Sequence, residues 1–252
     1  MTINHRPPSL PRPRNIGHRG ARGLAPENTV AGMRAAIQAG ADGVEFDVQR
    51  TADGHLVVFH DDDLQRICGV SGRVVTSTLA QLRELDAGRH FGPPFAGEPI
   101  PTLDEVLEAL PAHCFVNIEA KRFTLASDGL EAGIVEAVRR HGLLGRCVVS
   151  SFNPVLLWRL SRMAPEVPLG LLYAPDLPPG LNRGWPRRFL RLAALHPHYE
   201  QVTPALVDAA HRRGWQVNTW TVNDPAEMQR LIALGVDGII TDRPDVLREL
   251  LG

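Results

Sequence analysis

The chain has 252 residues, 44% of them apolar, with 27 Lys and Arg against 28 Asp and Glu. That length and apolar fraction suit one large α/β domain and exclude a disordered polypeptide. A formal net charge of −1 removes the overall electrostatic case for nucleic acid or an anionic bilayer as the main partner, and no apolar run approaches a membrane span.

The start, "MTINHRPPSLPRPR", lacks the apolar stretch of a secretory signal, so residues 1–14 read as a disordered Pro/Arg arm and 15–252 as a single domain. Cys68, Cys114 and Cys147 are widely spaced and odd in number, which fits neither a disulfide framework nor a CxxC metal site. They are expected to be reduced thiols in a cytoplasmic protein.

"NIGH" is a short strand, followed by the helix "ENTVAGMRAAIQAG". Asn28 or Thr29 is its N-cap, Val30, Met33 and Ile37 share one face, and Gly40 ends it. Next come the strand "GVEFDVQ", the turn "RTADGH" and the strand "LVVFH". From Asp61 to Ala112 the rhythm breaks into a Gly- and Pro-rich stretch with the short helical pieces "STLAQLRELDAG" and "TLDEVLEALP", placed where an insertion over one rim would sit. The strands "CFVNIEA", "CVVSS", "LGLLY", "LHPHY", "QVNTWTV" and "GIIT" follow. Between them lie the helical patterns "LEAGIVEAVRRHG", "NPVLLWRLSRMA", "TPALVDAAHRRG" and "DPAEMQRLIALG".

"PPGLNRGWPRRFLRLAAL" reads as one more covering helix, apolar within and basic without. Its Trp185, Phe189, Leu190 and Leu192 beside Arg187, Arg188 and Arg191 offer contact with a membrane surface as the other reading. "GADGVEFD" (Gly40 to Asp47) and "GVDGIITD" (Gly235 to Asp242) share one layout, a helix-ending Gly, an Asp-Gly turn and a strand. Alternating strands and helices favour a parallel sheet, and about eight strands with no Gly-rich dinucleotide fingerprint favour a TIM (β/α)8 barrel with a small inserted subdomain over an open doubly wound sheet. "RTADGH" resembles a hairpin loop, which would run "LVVFH" antiparallel to "GVEFDVQ" and set His60 across from Glu45; a further parallel strand is the alternative.

Four strand ends carry polar side chains where alternation predicts packing. His18 and Arg19 follow the first strand in "GHRG". Glu45 and Asp47 share one face of "GVEFDVQ", opposite Val44, Phe46 and Val48. His60 and Asp61 close "LVVFH", and Asn117, Glu119 and Lys121 share a face of "NIEAK". Singly, each has an ordinary explanation: a structural histidine, a surface arginine, a solvated strand face. In a parallel barrel, however, all C-terminal strand ends open at one mouth. Clustered carboxylates cannot all stay ionised there without a countercharge, and oxygen ligands without zinc-type His or Cys spacing suit Mg²⁺ or Ca²⁺. Two imidazoles supply a base and an acid near neutral pH, while a guanidinium and an ammonium bind phosphoryl oxygens. The ammonium is Lys121, the one lysine among the 27 basic side chains. The set reads as phosphodiester cleavage.

"GHRGARGLAPENT", "GADGVEFDVQRTADGHLVVFHD", "IPTLDEVLEAL", "NIEAK" and "WTVND" resemble, in order, the motifs of the glycerophosphodiester phosphodiesterases. The resemblance runs over nearly the whole chain from Asn15. It implies a metal-dependent TIM-barrel enzyme that hydrolyses glycerophosphodiesters to glycerol 3-phosphate and an alcohol. It further implies that His18 and His60 are the acid/base pair, that Glu45, Asp47 and Glu119 hold the metal, and that Arg19 and Lys121 bind phosphate. Trp220 would line the substrate pocket, a barrel-core aromatic being the plain alternative, and the inserted subdomain would be the stretch of about 61–112. Two departures stand out: Ile67 and Cys68 occur where the family usually has threonines and a Gly-rich turn, and Ala120 where a larger aliphatic is common, on the face turned from the cleft.

A lysophospholipase D acting on lipid-sized diesters would use the same site with a different rim. A non-catalytic barrel that binds a phosphoester is the rival from another class; losing His18, His60 or Glu119 would favour it, and all are present. The expected partner is a small-molecule substrate, with no nucleic acid and no stable membrane insertion.

Overall fold

The computed structural model describes residues 12–122 and 127–252. One sheet contains β1 (Arg14–Gly17), β2 (Gly43–Arg50), β3 (Leu56–Val58), β4 (Phe115–Ala120), β5 (Cys147–Ser151), β6 (Leu169–Tyr173), β7 (Ala194–Pro197), β8 (Gln216–Thr219) and β9 (Gly238–Thr241). β1 pairs in parallel with both β9 and β2, so all of these strands except β3 close into an eight-stranded parallel barrel. The expected TIM-type architecture is therefore present. Its strands are buried along nearly their whole length, which is why they read as apolar runs.

β3 stands outside the barrel and pairs antiparallel with β2, Val48 opposite Val58 and Arg50 opposite Leu56. "RTADGH" is thus a hairpin loop. The Phe59 N–H donates to the Asp47 carbonyl at 2.9 Å, one residue beyond the paired strand, and His60 follows outside the ladder instead of pairing across from Glu45.

The helices are α1 (Val30–Gln38), α2 (Gln65–Cys68), α3 (Leu79–Arg83), α4 (Leu103–Ala109), α5 (Leu130–Arg140), α6 (Pro154–Met163), α7 (Pro204–His211), α8 (Pro225–Ala233) and α9 (Pro244–Leu251). Thr29, not Asn28, caps α1, its hydroxyl accepting from the Gly32 N–H at 3.0 Å. Asn153, Thr203 and Asp224 cap α6, α7 and α8, each followed by proline at the first helical position, where the missing N–H costs nothing.

Three boundaries differ from the sequence reading. Leu103, Val106 and Leu107 of α4 join the main core and α4 packs on α1, so α4 is a barrel helix rather than part of the insertion. The insertion has its own small core, in which Phe59, Leu64, Ile67, Val74, Leu82 and Ile100 are buried. The helix expected around Trp185 is instead two 3-10 turns, Leu181–Arg183 and Trp185–Arg188. Gly180 at φ 91° and Gly184 at φ 59° break it, and a Cβ on Gly184 would come within 2.9 Å of the Tyr173 ring. Most of the expected arm, residues 1–11, lies outside the described residues. Arg12 pairs with Asp42 at 2.9 Å and Arg14 opens β1, so the arm's last residues belong to the fold.

Inside the barrel, Ile16, Phe115, Val148, Ala194 and Ile240 form an apolar layer. Asn117, Ser150, His196 and Asn218 are buried polar side chains on barrel strands. No helix among the described residues is long and apolar enough to cross a membrane.

Candidate active site

Glu45 and Asp47 project from β2 and Glu119 from β4. The parallel register sets Asp47 beside Glu119 and Glu45 beside Asn117, so alternation aims all three carboxylates into the barrel. One ligand oxygen from each lies within 4.8 Å of the others, and all three residues are buried. Burial, then Asp47 and Glu119, push the Glu45 carboxyl well above its usual range. Burial also raises Glu119, only partly offset by Lys121. Burial would raise Asp47 too, but Lys121 and Arg19 outweigh it and hold this carboxyl low. The Lys121 ammonium lies 3.0 Å from Glu119 and 3.5 Å from Asp47; against the pull of burial, those carboxylates raise its affinity for the proton.

Arg19 and Asn28 are the non-glycine residues with positive φ among the described residues, at 50° and 57°, and both touch the carboxylates. The Arg19 N–H donates to Glu45 Oε2 at 3.0 Å; its guanidinium donates to Glu27 at 2.7 Å and stands 3.5 Å from Asp47. The Asn28 amide donates to Asp47 Oδ2 at 2.9 Å and accepts from the Asp47 N–H at 3.2 Å. Asparagine tolerates that left-handed backbone; arginine adopts it at a cost the surrounding bonds must cover. Gly20, at φ 88°, lets the loop lie on α1, since a Cβ there would sit 2.5 Å from the Gly32 carbonyl carbon.

His18 follows β1 and His60 follows β3. His18 Nδ1 is 2.6 Å from Asp242 Oδ1, and Asp242 in turn accepts from Asn223 at 2.8 Å. His60 Nδ1 is 2.6 Å from Asp61, which accepts from Arg66 Nε at 2.7 Å, and Arg66 also donates to Glu27. A carboxylate partner requires the proton on Nδ1, which leaves Nε2 of each ring as the free basic nitrogen. Burial lowers the pKa of both imidazoles, and both feel the charges of Asp47 and Arg19. Trp220 follows β8 on the same rim. Its indole N–H donates to the His196 carbonyl at 2.8 Å, and its ring meets Phe152 and His198 edge to face at 5.4 and 5.5 Å. It is partly buried and packs against the inner apolar layer.

A family model for the glycerophosphoryl diester phosphodiesterases matches residues 18–246. The chain belongs to this family. It is 43% identical over 239 residues to a glycerophosphodiester phosphodiesterase of Caldanaerobacter subterraneus subsp. tengcongensis, with 94% of this chain and 96% of that one covered. A phosphodiesterase from Oleispira antarctica, solved with the product sn-glycerol-3-phosphate, superposes with a TM-score of 0.83 at 32% identity, covering 95% of this chain and 97% of that one. A glycerophosphodiester phosphodiesterase from Agrobacterium tumefaciens does so at 0.78 and 31%, covering 93% and 98%.

In this phosphodiesterase-family chain the supporting residues Glu27, Asn28, Arg66, Asn223 and Asp242 escaped the sequence reading. Asp242 had a signal: it occupies in "GVDGIITD" the place that Asp47 holds in "GADGVEFD". Glu27 and Asn28 lay within a quoted motif, with nothing local to show that they bond Arg19 and Asp47. Of the two departures from the family pattern, Ile67 is buried in the insertion's core, and Ala120 faces the main core, away from the carboxylates.

Proposed function

We propose that the chain hydrolyses glycerophosphodiesters to glycerol 3-phosphate and an alcohol, with a divalent cation, Mg²⁺ or Ca²⁺, held by Glu45, Asp47 and Glu119. The observation that carries this reading is the charge balance of the site. Three buried carboxylates against Arg19 and Lys121 leave the cluster one positive charge short, and burial, with repulsion from the neighbouring carboxylates added, raises the pKa of Glu45 and Glu119. A dication would turn the deficit into a surplus of one, which matches the single negative charge of a phosphodiester. When bound, such a cation withdraws charge from a phosphoryl oxygen and makes phosphorus more electrophilic.

Arg19 and Lys121 orient the diester by pairing with its non-bridging oxygens. One of His18 and His60 takes the proton of the attacking hydroxyl through Nε2 as the new P–O bond forms. The other starts as imidazolium, with protons on both ring nitrogens, and gives its Nε2 proton to the departing alkoxide as the old P–O bond breaks. Attack by water yields the products directly; attack by the glycerol 2-hydroxyl yields a cyclic phosphate that water then opens. Asp242 and Asp61 hold the rings in the tautomer this exchange needs. Trp220 and Phe152 form the apolar side of the substrate pocket. Residues 15–252 act as one catalytic domain, the insertion walling one side of its mouth. A reducing cytoplasm suits its three free thiols.

The test is release of glycerol 3-phosphate from a panel of glycerophosphodiesters and lysophospholipids, with Mg²⁺ and Ca²⁺ compared and with EDTA added. No release from any member of the panel would overturn the reading, and turnover indifferent to EDTA would remove the cation from it.

A further inference from the structure

On the mouth side of the barrel, between β5 and β7, large apolar side chains face outward. Trp158 on α6 is 53% exposed, and Trp185 and Phe189 are 48% and 72% exposed. The last two meet edge to face at 5.4 Å and, with Val155, Leu181 and Leu190, border a cleft of about 250 Å³ lined by apolar residues. The position follows from the topology. α6 begins directly after the C-terminal end of β5, Gly184 packs on Tyr173 at the end of β6, and Phe152, beside the α6 cap Asn153, is the ring against Trp220. The patch therefore borders the opening through which substrate must pass.

Its charge is one-sided. From Leu177 to Tyr199 the chain has Arg183, Arg187, Arg188 and Arg191 and no acidic residue. Arg187 folds back to donate to the Arg183 and Gly184 carbonyls. Arg183, Arg188 and Arg191 are exposed, and among the described residues no carboxylate pairs with them. The near-neutral whole thus conceals a local segregation of charge.

We propose that this face docks reversibly on an anionic phospholipid surface, with Trp158, Trp185 and Phe189 entering the boundary between headgroups and acyl chains and the arginines meeting lipid phosphates. Tryptophan and phenylalanine ringed by arginine is the composition that lies in a bilayer interface without crossing it. A second copy fits poorly, because a two-fold contact would set the same arginines against themselves. Single-stranded nucleic acid fits poorly too, because Trp185 and Phe189 pack against each other and pool into one apolar cleft instead of standing apart as stacking platforms. A small polar ligand would find no convergent polar group in the cleft to orient it.

The test is independent of the catalytic reading. The full chain is sedimented with vesicles of phosphatidylcholine alone and of phosphatidylcholine mixed with phosphatidylglycerol. It should pellet with the anionic vesicles and lose roughly tenfold in binding on pure phosphatidylcholine or at high salt. Phe189→Ala and the pair Arg188→Glu with Arg191→Glu should each weaken anionic-vesicle binding by roughly tenfold, with unchanged thermal melting and unchanged turnover of a soluble glycerophosphodiester. Any of three results would overturn the proposal: no vesicle binding, equal vesicle binding by the variants, or a solution dimer that Phe189→Ala dissociates. Retention on single-stranded RNA in preference to anionic vesicles would transfer the surface to nucleic acid and overturn it as well.

Discussion

Each imidazole at the site owes its orientation to a carboxylate, the distant Asp242 for His18 and the adjacent Asp61 for His60. His18→Ala and His60→Ala are each expected to lower kcat/KM by about 10²- to 10⁴-fold with an unchanged melting curve, and near-normal turnover in either would refute its role. Asp242→Asn should lower kcat by about 10- to 100-fold with little change in KM, because only the positioning of the ring is disturbed. Two further residues make stability depend on pH. Burial alone would raise the Glu27 carboxyl, but Arg66 and Arg19 outweigh it and bring its pKa down from 4.5 to about 2. The unfolded chain then takes up this proton more readily than the folded one, so the contribution of Glu27 is full above about pH 4.5 and lost as pH falls towards 2. At about 1.4 kcal/mol per unit it is worth about 3 kcal/mol. His196 acts over a higher window. Burial lowers its pKa from 6.5 to about 3, so below 6.5 the unfolded chain gains a proton that the folded one refuses. Stability should fall by about 1.4 kcal/mol per pH unit across that window on its account. Urea unfolding in a pH series should show Glu27→Gln flattening the curve only below about 4.5 and His196→Gln flattening it from about 6.5 downward; unchanged curves would show that these groups do not set the acid limb.

Among elements, those with strong alternation were legible: the two faces of β2 and β4 foretold which side chains enter the barrel, and the turn after Arg50 foretold the hairpin. Where the reading failed, a backbone angle or a distant bond had overruled the local pattern. Asn28 is as good a capping residue as Thr29, but its left-handed backbone commits it to Asp47 instead. The basic, apolar-rich stretch around Trp185 has a helix-like composition, yet Gly180 and Gly184 turn the chain against Tyr173. "TLDEVLEALP" looked like part of the insertion because it follows a Gly- and Pro-rich run; only its packing on α1 assigns it to the barrel. The loop between β1 and α1 should be the element least tolerant of change. Gly20→Ala adds a methyl 2.5 Å from backbone at an angle alanine avoids, and should cost about 1–3 kcal/mol in denaturant unfolding. Since that loop also places Arg19 over Glu45, activity should fall as well. Full activity and stability would mean that the loop has room to shift.

For the molecule as a whole, three buried carboxylates held close together oppose folding, and a cation bound among them would offset that cost. Addition of Mg²⁺ or Ca²⁺ should raise the melting temperature, by an amount equivalent to about 2.7 kcal/mol at a hundred times the dissociation constant. Glu119→Gln should abolish that rise, and a melting temperature indifferent to either cation would argue against a cation at the triad. The convergence of strand ends was legible because a closed parallel barrel gathers them by construction. The ion pairs behind them were not, because Glu27 with Arg66, or His18 with Asp242, join positions that no periodicity relates. The His18–Asp242 contact spans 224 residues, from just after the first strand to just after the last. A chain still emerging from the ribosome would already carry both imidazoles and all three acids, yet it could not lock His18 until the final strand had left the exit tunnel and closed the ring. Closing the ring and fixing the His18 imidazole are therefore one event, because both need β9 and the Asp242 that follows it in place.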